Sequence, residues 1–185
     1  MFNWLKKQIV GTAGKPQTPA EHLYYMLLNA SRTPKFYLDY GVKDSFDGRF
    51  DILCLLVSLV MRRLRDAGEE AKSFSQDVFD AMFTDIDLTL REQGAGDTGL
   101  GKRVRIMSEG FVGRLTAYSE ALDNKDKAAL AQAIARNLSR SEDVSDNDLA
   151  LAGLAMALAD TLAKTELEAL VEGDFDASAW VEAQS

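Results

Sequence analysis

Cysteine and histidine occur once each among 185 residues, as Cys54 and His22. One thiol cannot close a disulfide, and one thiol with one distant imidazole cannot supply the ligands of a zinc site. Cys54 stands in an apolar run and reads as core, where free cysteines usually lie. The sequence has no C-x-x-C-H for haem attachment, and serine, histidine and cysteine form no local nucleophile-base arrangement. No catalytic residue, metal ligand or cofactor is therefore expected.

Long apolar runs are also missing. The best, Ile52 to Met61, is broken by Ser58 and followed by Arg62 and Arg63, well short of the roughly 18 to 20 apolar residues that cross a bilayer. It reads as a buried helix. The opening MFNWLKKQIVG has no stretch of signal-peptide length. Residues 1–17 read as a tail or a short amphipathic segment, in which Phe2, Trp4, Leu5 and Ile9 beside Lys6 and Lys7 suit contact with a membrane surface.

Positive charge is scarce. A net charge of -8 excludes a protein held mainly by phosphate contacts, and no specific DNA binding is expected. The balance is uneven. Residues 137 to 185 carry two bases (Arg140, Lys164) against eleven acids, a net of -9, which leaves +1 for residues 1 to 136. Residues 166–185 form an acidic C-terminal segment, in which Phe175 and Trp180 are either docking anchors or part of a disordered tail.

Strand patterning is absent, whereas apolar residues recur at steps of three and four. The expected fold is all-α, one compact multi-helix domain over 18–165. Thr18-Pro19-Ala20-Glu21 offers a capping hydroxyl, a proline at the first helical position and a glutamate at the third. It predicts a helix to about Ser31. Gly41 ends a short helical turn, and Ser45 or Asp47 caps a long helix running to Gly68. Phe79, Met82, Phe83, Ile86 and Leu90 stripe a helix from about Ser75 to Gln93. Val104, Met107, Phe111, Leu115, Tyr118 and Leu122 stripe the next. Leu130, Ile134 and Leu138 mark another, and Leu151, Leu154, Leu158 and Leu162 mark an alanine-rich one.

Between two of these helices, GDTGLGKR nearly spells the phosphate-binding G-x-x-x-x-G-K-[S/T]. Such a loop follows a buried strand and ends in a hydroxyl that binds magnesium. Here a helix precedes it and Arg103 follows Lys102. A helix-turn-helix corner is the better reading, with Gly94, Gly96 and Gly99 supplying unusual backbone angles. Bases in the first turn of the later helix oppose its dipole, a cost best understood if something acidic sits against them.

The runs FYLDYGVKDSFDGRFDILCLL, FDAMFTDIDLTLREQGAGDTGLGKRV, FVGRLTAYSEAL and AIARNLS, in that order and spacing, resemble the ubiquinol-cytochrome c chaperone family over about Phe36 to Ser139. The resemblance implies a helical fold and a non-enzymatic assembly role. Mitochondrial members receive newly made cytochrome b, with a partner protein near the ribosomal exit, and serve assembly of the cytochrome bc1 complex. By extension the expected client is cytochrome b or another membrane protein, with the ribosome or a small helper protein as further partners. The expected location is cytoplasmic, with peripheral contact at the inner membrane.

A chaperone of this kind needs adaptable apolar walls and a charged rim. Phe36, Tyr37, Tyr40, Met82, Phe83 and Met107 are candidate walls of an apolar groove. Asp44, Asp47, Arg49, Arg91, Glu92, Asp97, Lys102, Arg103, Arg114 and Arg136 are candidate partner-binding charges, with a structural salt bridge equally open for Arg49 and Arg114. The alternative functions are a small-ligand-binding enzyme and a ribosome-associated protein using the basic clusters Arg62–Arg65 and Lys102–Arg105.

Overall fold

The computed structural model describes residues 18–65, 67–92, 97–172 and 174–183, and the N-terminal segment 1–17 and the turn glycines Gly94 and Gly96 lie outside them. Among the described residues every regular element is helical. In chain order they are α1 (Pro19–Ala30), α2 (Pro34–Leu38), α3 (Phe46–Arg65), α4 (Glu69–Glu92), α5 (Asp97–Asp123), α6 (Lys127–Ile134), a π-helical turn (Ala135–Ser139), α7 (Asp146–Lys164), α8 (Leu167–Glu172) and α9 (Ala177–Glu182).

The helix starts follow local chemistry. At α1 the Thr18 hydroxyl accepts from the Glu21 amide at 3.2 Å while the Thr18 amide donates to the Glu21 carboxylate at 3.2 Å, a reciprocal cap with Pro19 at the first helical position. Ser145 and Asp148 repeat the device at α7. Asp148 also accepts from the Ser139 hydroxyl at 2.5 Å. Burial alone would raise its carboxyl, yet the hydrogen bonds from Ser139 and Ser145 hold it below the usual range.

The core is organised around α3. Every residue from Asp51 to Val60 is buried, and the helix packs against α1, α4, α5 and α7. Gly48 lets α3 start close under the preceding loop, since a Cβ there would run into the Lys43 carbonyl. Gly68 takes φ 101°, a conformation that suits glycine, and so separates α3 from α4.

Two boundaries differ from the sequence expectation. Helix α4 begins at Glu69 rather than about Ser75. Its first turns expose most of their side chains, so they show no apolar stripe, and Glu69 and Glu70 suit the positive end of the helix dipole. Helix α5 begins at Asp97, which makes Gly99 a helical rather than a turn residue and puts Lys102 and Arg103 in the second turn, beyond the first turn where the dipole would oppose them.

The C-terminal residues are docked. Phe175 and Trp180 are 7% and 5% exposed, their rings lie 5.3 Å apart, and the Trp180 indole donates to the Leu158 carbonyl at 3.1 Å. Helices α8 and α9 pack against α1, and the Asp176 carboxylate caps α9 through the amides of Ser178 and Ala179. Among the described residues, no helix is long and apolar enough to cross a membrane.

Candidate partner-binding grooves

An arginine-carboxylate junction fixes the start of α3 against the rest of the fold. Asp51 is 1% exposed, with one oxygen accepting from Arg114 of α5 at 2.9 Å and the other from Arg140 at 2.8 Å. Burial keeps the Asp51 carboxyl above the usual range in spite of the two guanidiniums. Arg140 follows the π-helical turn in a left-handed conformation, φ 56°, and also donates to the carbonyls of Asn137 and Leu138. One buried carboxylate thus ties α3, α5 and the connection from α6 to α7.

Above this junction, the first turns of α3 and the N-terminal half of α5 border a groove of about 490 Å³. Phe46 and Phe50 of α3 and Ile106 and Met107 of α5 form its apolar walls, and Lys102, Arg103, Arg114 and Arg140 make its polar border basic, with Asp47 opposing them. The Arg114 guanidinium lies 5.7 Å from the centre of the Phe50 ring, within cation-π range. Ile106 is 53% exposed. Lys102 and Arg103 are exposed, while Arg105 pairs loosely with Glu109 at 3.5 Å.

Of the residues named from sequence as groove walls, only Met107 lines this groove. Phe36 and Met82 are fully enclosed and Phe83 is 8% exposed, so these three are core. The stripe that marked Met82 and Phe83 is the face that α4 buries. Tyr37 is half-buried and donates its hydroxyl to the Ser31 carbonyl at 2.5 Å, with burial pushing its pKa up to about 12. Tyr40 lies under the Lys35 ammonium, 5.9 Å from the ring centre.

Of the candidate charges, Asp47, Lys102, Arg103 and Arg114 come together at the groove. Asp44 and Arg49 pair with each other at 2.6 Å. Arg91 pairs with Asp87 at 2.7 Å on the outer face of α4, where Glu92 is also exposed. Arg136 is exposed on the π-helical turn. Asp97 opens α5, and its side chain lies outside the described set.

Sequence reasoning missed Phe46, Phe50, Ile106, Asp51 and Arg140. Ile106 carried a signal, because it is apolar, lies off the stripe of its own helix and follows Arg105 directly. Asp51 carried another, as a lone carboxylate at the head of an apolar run.

The second basic cluster is committed to the fold. Arg62 and Arg65 clasp Asp123 at 2.8 and 3.0 Å, and the hydrogen bond from Arg65, with that from Arg62, holds the Asp123 carboxyl below the usual range against a smaller effect of burial. Arg63 donates to the carbonyls of Leu162 and Thr165, satisfying the C-terminal end of α7.

These features define an all-α domain whose exposed chemistry is gathered in open surface grooves. A family model described as ubiquinol-cytochrome C chaperone matches residues 38–180. Among solved structures, the crystal structure of the Cbp3 homolog from Brucella abortus superposes with a TM-score of 0.75 at 32% identity, over 85% of this chain and 87% of that one. No curated protein matches the chain. The chain belongs to the ubiquinol-cytochrome C chaperone family.

Proposed function

We propose that the protein is a non-enzymatic assembly chaperone that holds newly made cytochrome b, or a related subunit of a respiratory complex, at the groove between α3 and α5. The observation that carries this reading is Ile106, an exposed aliphatic side chain beside two phenylalanines and a methionine, inside a basic border. A helix destined for a membrane presents apolar side chains that need temporary cover, and methionine adapts to varied shapes. Lys102 and Arg103 orient the client by its acidic residues.

Nothing among the described residues favours an enzymatic reading through the one cysteine and one histidine. Cys54 is buried with its thiol pushed up by that burial, and His22 is exposed on α1. A ribosome-binding reading loses the Arg62–Arg65 cluster to structural pairing, which leaves the basic border of the groove as its remaining support.

The test is crosslinking in the native cell from a photoreactive residue at position 106, followed by purification and identification of what is attached. Cytochrome b or its nascent chain is the expected product. Lys102→Glu with Arg103→Glu should reduce its capture while circular dichroism stays unchanged. Capture of unrelated soluble proteins, together with normal cytochrome b levels after deletion, would overturn the reading.

A further inference from the structure

Positive charge that the fold does not use is gathered on one helix turn. From Thr98 to Ser108 the sequence carries Lys102, Arg103 and Arg105 and no acid, in a chain of net charge -8. Arg105 shares its charge with Glu109, whereas Lys102 and Arg103 are exposed and make no ion pair among the described residues. Ile106 follows one turn later and is 53% exposed. Steps of three and four put it on the same face as the two bases, and all three border the groove between α3 and α5.

Other concave surfaces have the opposite sign. Glu21, Asp77 and Asp80 border a groove between α1 and α4 that no lysine or arginine lines among the described residues. Asp174 and Asp176 border another, between α1 and the start of α9. A negatively charged surface attracts the α5 turn and repels these faces, so the molecule approaches it one way round.

The client has few acids to offer Lys102 and Arg103, and a bilayer has many. Loops of a membrane protein on the side of synthesis carry an excess of lysine and arginine, whereas the membrane leaflet on that side presents anionic headgroups. Ile106 suits the same surface, because an aliphatic chain beside bases sits where headgroups meet acyl chains.

We propose that the anionic surface of a bilayer competes with the client for Lys102, Arg103 and Ile106, so that the groove gives up its client on reaching the membrane; this rests on the chaperone reading above. Each base near such a surface strengthens binding by about fivefold. Two bases and one isoleucine make a contact that forms and breaks readily, short of the paired signals that anchor a protein in place. An exchange needs a contact of that kind, since the chaperone must leave the membrane again to meet its next client.

The first probe is a vesicle of phosphatidylcholine with about one-third phosphatidylglycerol, compared by co-sedimentation with phosphatidylcholine alone. The full chain should bind the anionic vesicle and not the neutral one. Lys102→Glu with Arg103→Glu should weaken that binding by about twentyfold or more. Lys125→Glu with Lys127→Glu makes the same change of charge at exposed positions elsewhere and should weaken it far less. Equal binding of the two vesicles, or an equal loss in the two variants, removes the inference.

The second probe is a short fluorescent peptide of glutamates spaced by serine and leucine, standing in for an acidic stretch of client and read by anisotropy. Wild type should bind it, the anionic vesicle should displace it, and the neutral vesicle should not. A peptide that stays on the vesicle-bound protein, or that never binds, overturns the exchange. Crosslinking from position 106 separates the two proposals. Client captured by a protein with no preference for the anionic vesicle leaves the chaperone reading standing and removes this one. Absence of the client removes the chaperone reading, and the exchange with it.

Discussion

Asp51 and Asp85 are both carboxylates almost wholly removed from water, yet they are served very differently. Asp51 has two arginines, one on each oxygen. Asp85 accepts from the Tyr24 hydroxyl on one oxygen and has Arg32 as a nearby charge, with its other oxygen buried. A buried charge that its own chain satisfies acts as a joint, and here it joins three parts of the fold beneath the basic groove. A buried carboxylate with a tyrosine partner in place of two guanidiniums joins fewer parts, here α1 to α4 through a single hydrogen bond. The contrast also separates the arginines. Those at positions 114 and 140 are engaged by Asp51, whereas Lys102 and Arg103 make no ion pair among the described residues.

The sharpest way to break this contrast is to remove each carboxylate in turn. Asp51→Ala leaves Arg114, with a side chain only 12% exposed, without its counter-charge, and the expected loss is about 3 kcal/mol or more in urea unfolding. Arg140→Ala should cost less, about 1 kcal/mol, because its side chain is 52% exposed and water screens what remains.

Asp85→Asn should change stability by less than about 1 kcal/mol at neutral pH, since the amide oxygen still accepts from Tyr24. Its effect should depend on pH with a defined sign. The folded protein raises the Asp85 pKa, so it holds that proton more tightly than the unfolded chain does. The wild type therefore loses stability relative to Asp85→Asn as pH rises from the ordinary carboxylate range through the raised folded value, and keeps the difference above it. Unfolding curves for the two proteins across that window would expose a wrong assignment as parallel profiles.

The smallest effect belongs to the rim. Lys102→Glu with Arg103→Glu should move stability by no more than about 0.5 kcal/mol, because both side chains are exposed. A larger loss would place these two residues with Arg114 and Arg140 as structural charges.

The helical architecture was legible because its signals are local. The Thr18 to Glu21 cap, the apolar run of α3 and the stripe of α5 each lie within a few turns of chain. The start of α4 was hidden because an exposed helix turn has no apolar pattern to read. The Asp51 junction was hidden for a different reason, since its partners stand 63 and 89 residues away in sequence. The same holds for the groove walls. A stripe at helical spacing reports the face that packs inward, so it led to Met82 and Phe83, while Phe46 and Ile106 owe their role to a groove that two helices border together.

The docking of α8 and α9 on α1 bears on how the chain is made. Leu23 and Leu27 of α1 are completely buried, and part of what α1 packs against lies beyond residue 166. During synthesis the first helix leaves the ribosome long before its last neighbours do, and contacts so far apart in sequence form slowly. Until then part of its apolar face stays uncovered. A protein proposed to shelter unfinished chains thus passes through an unfinished stage of its own, and shortening it from the C-terminal end should show first as aggregation during expression.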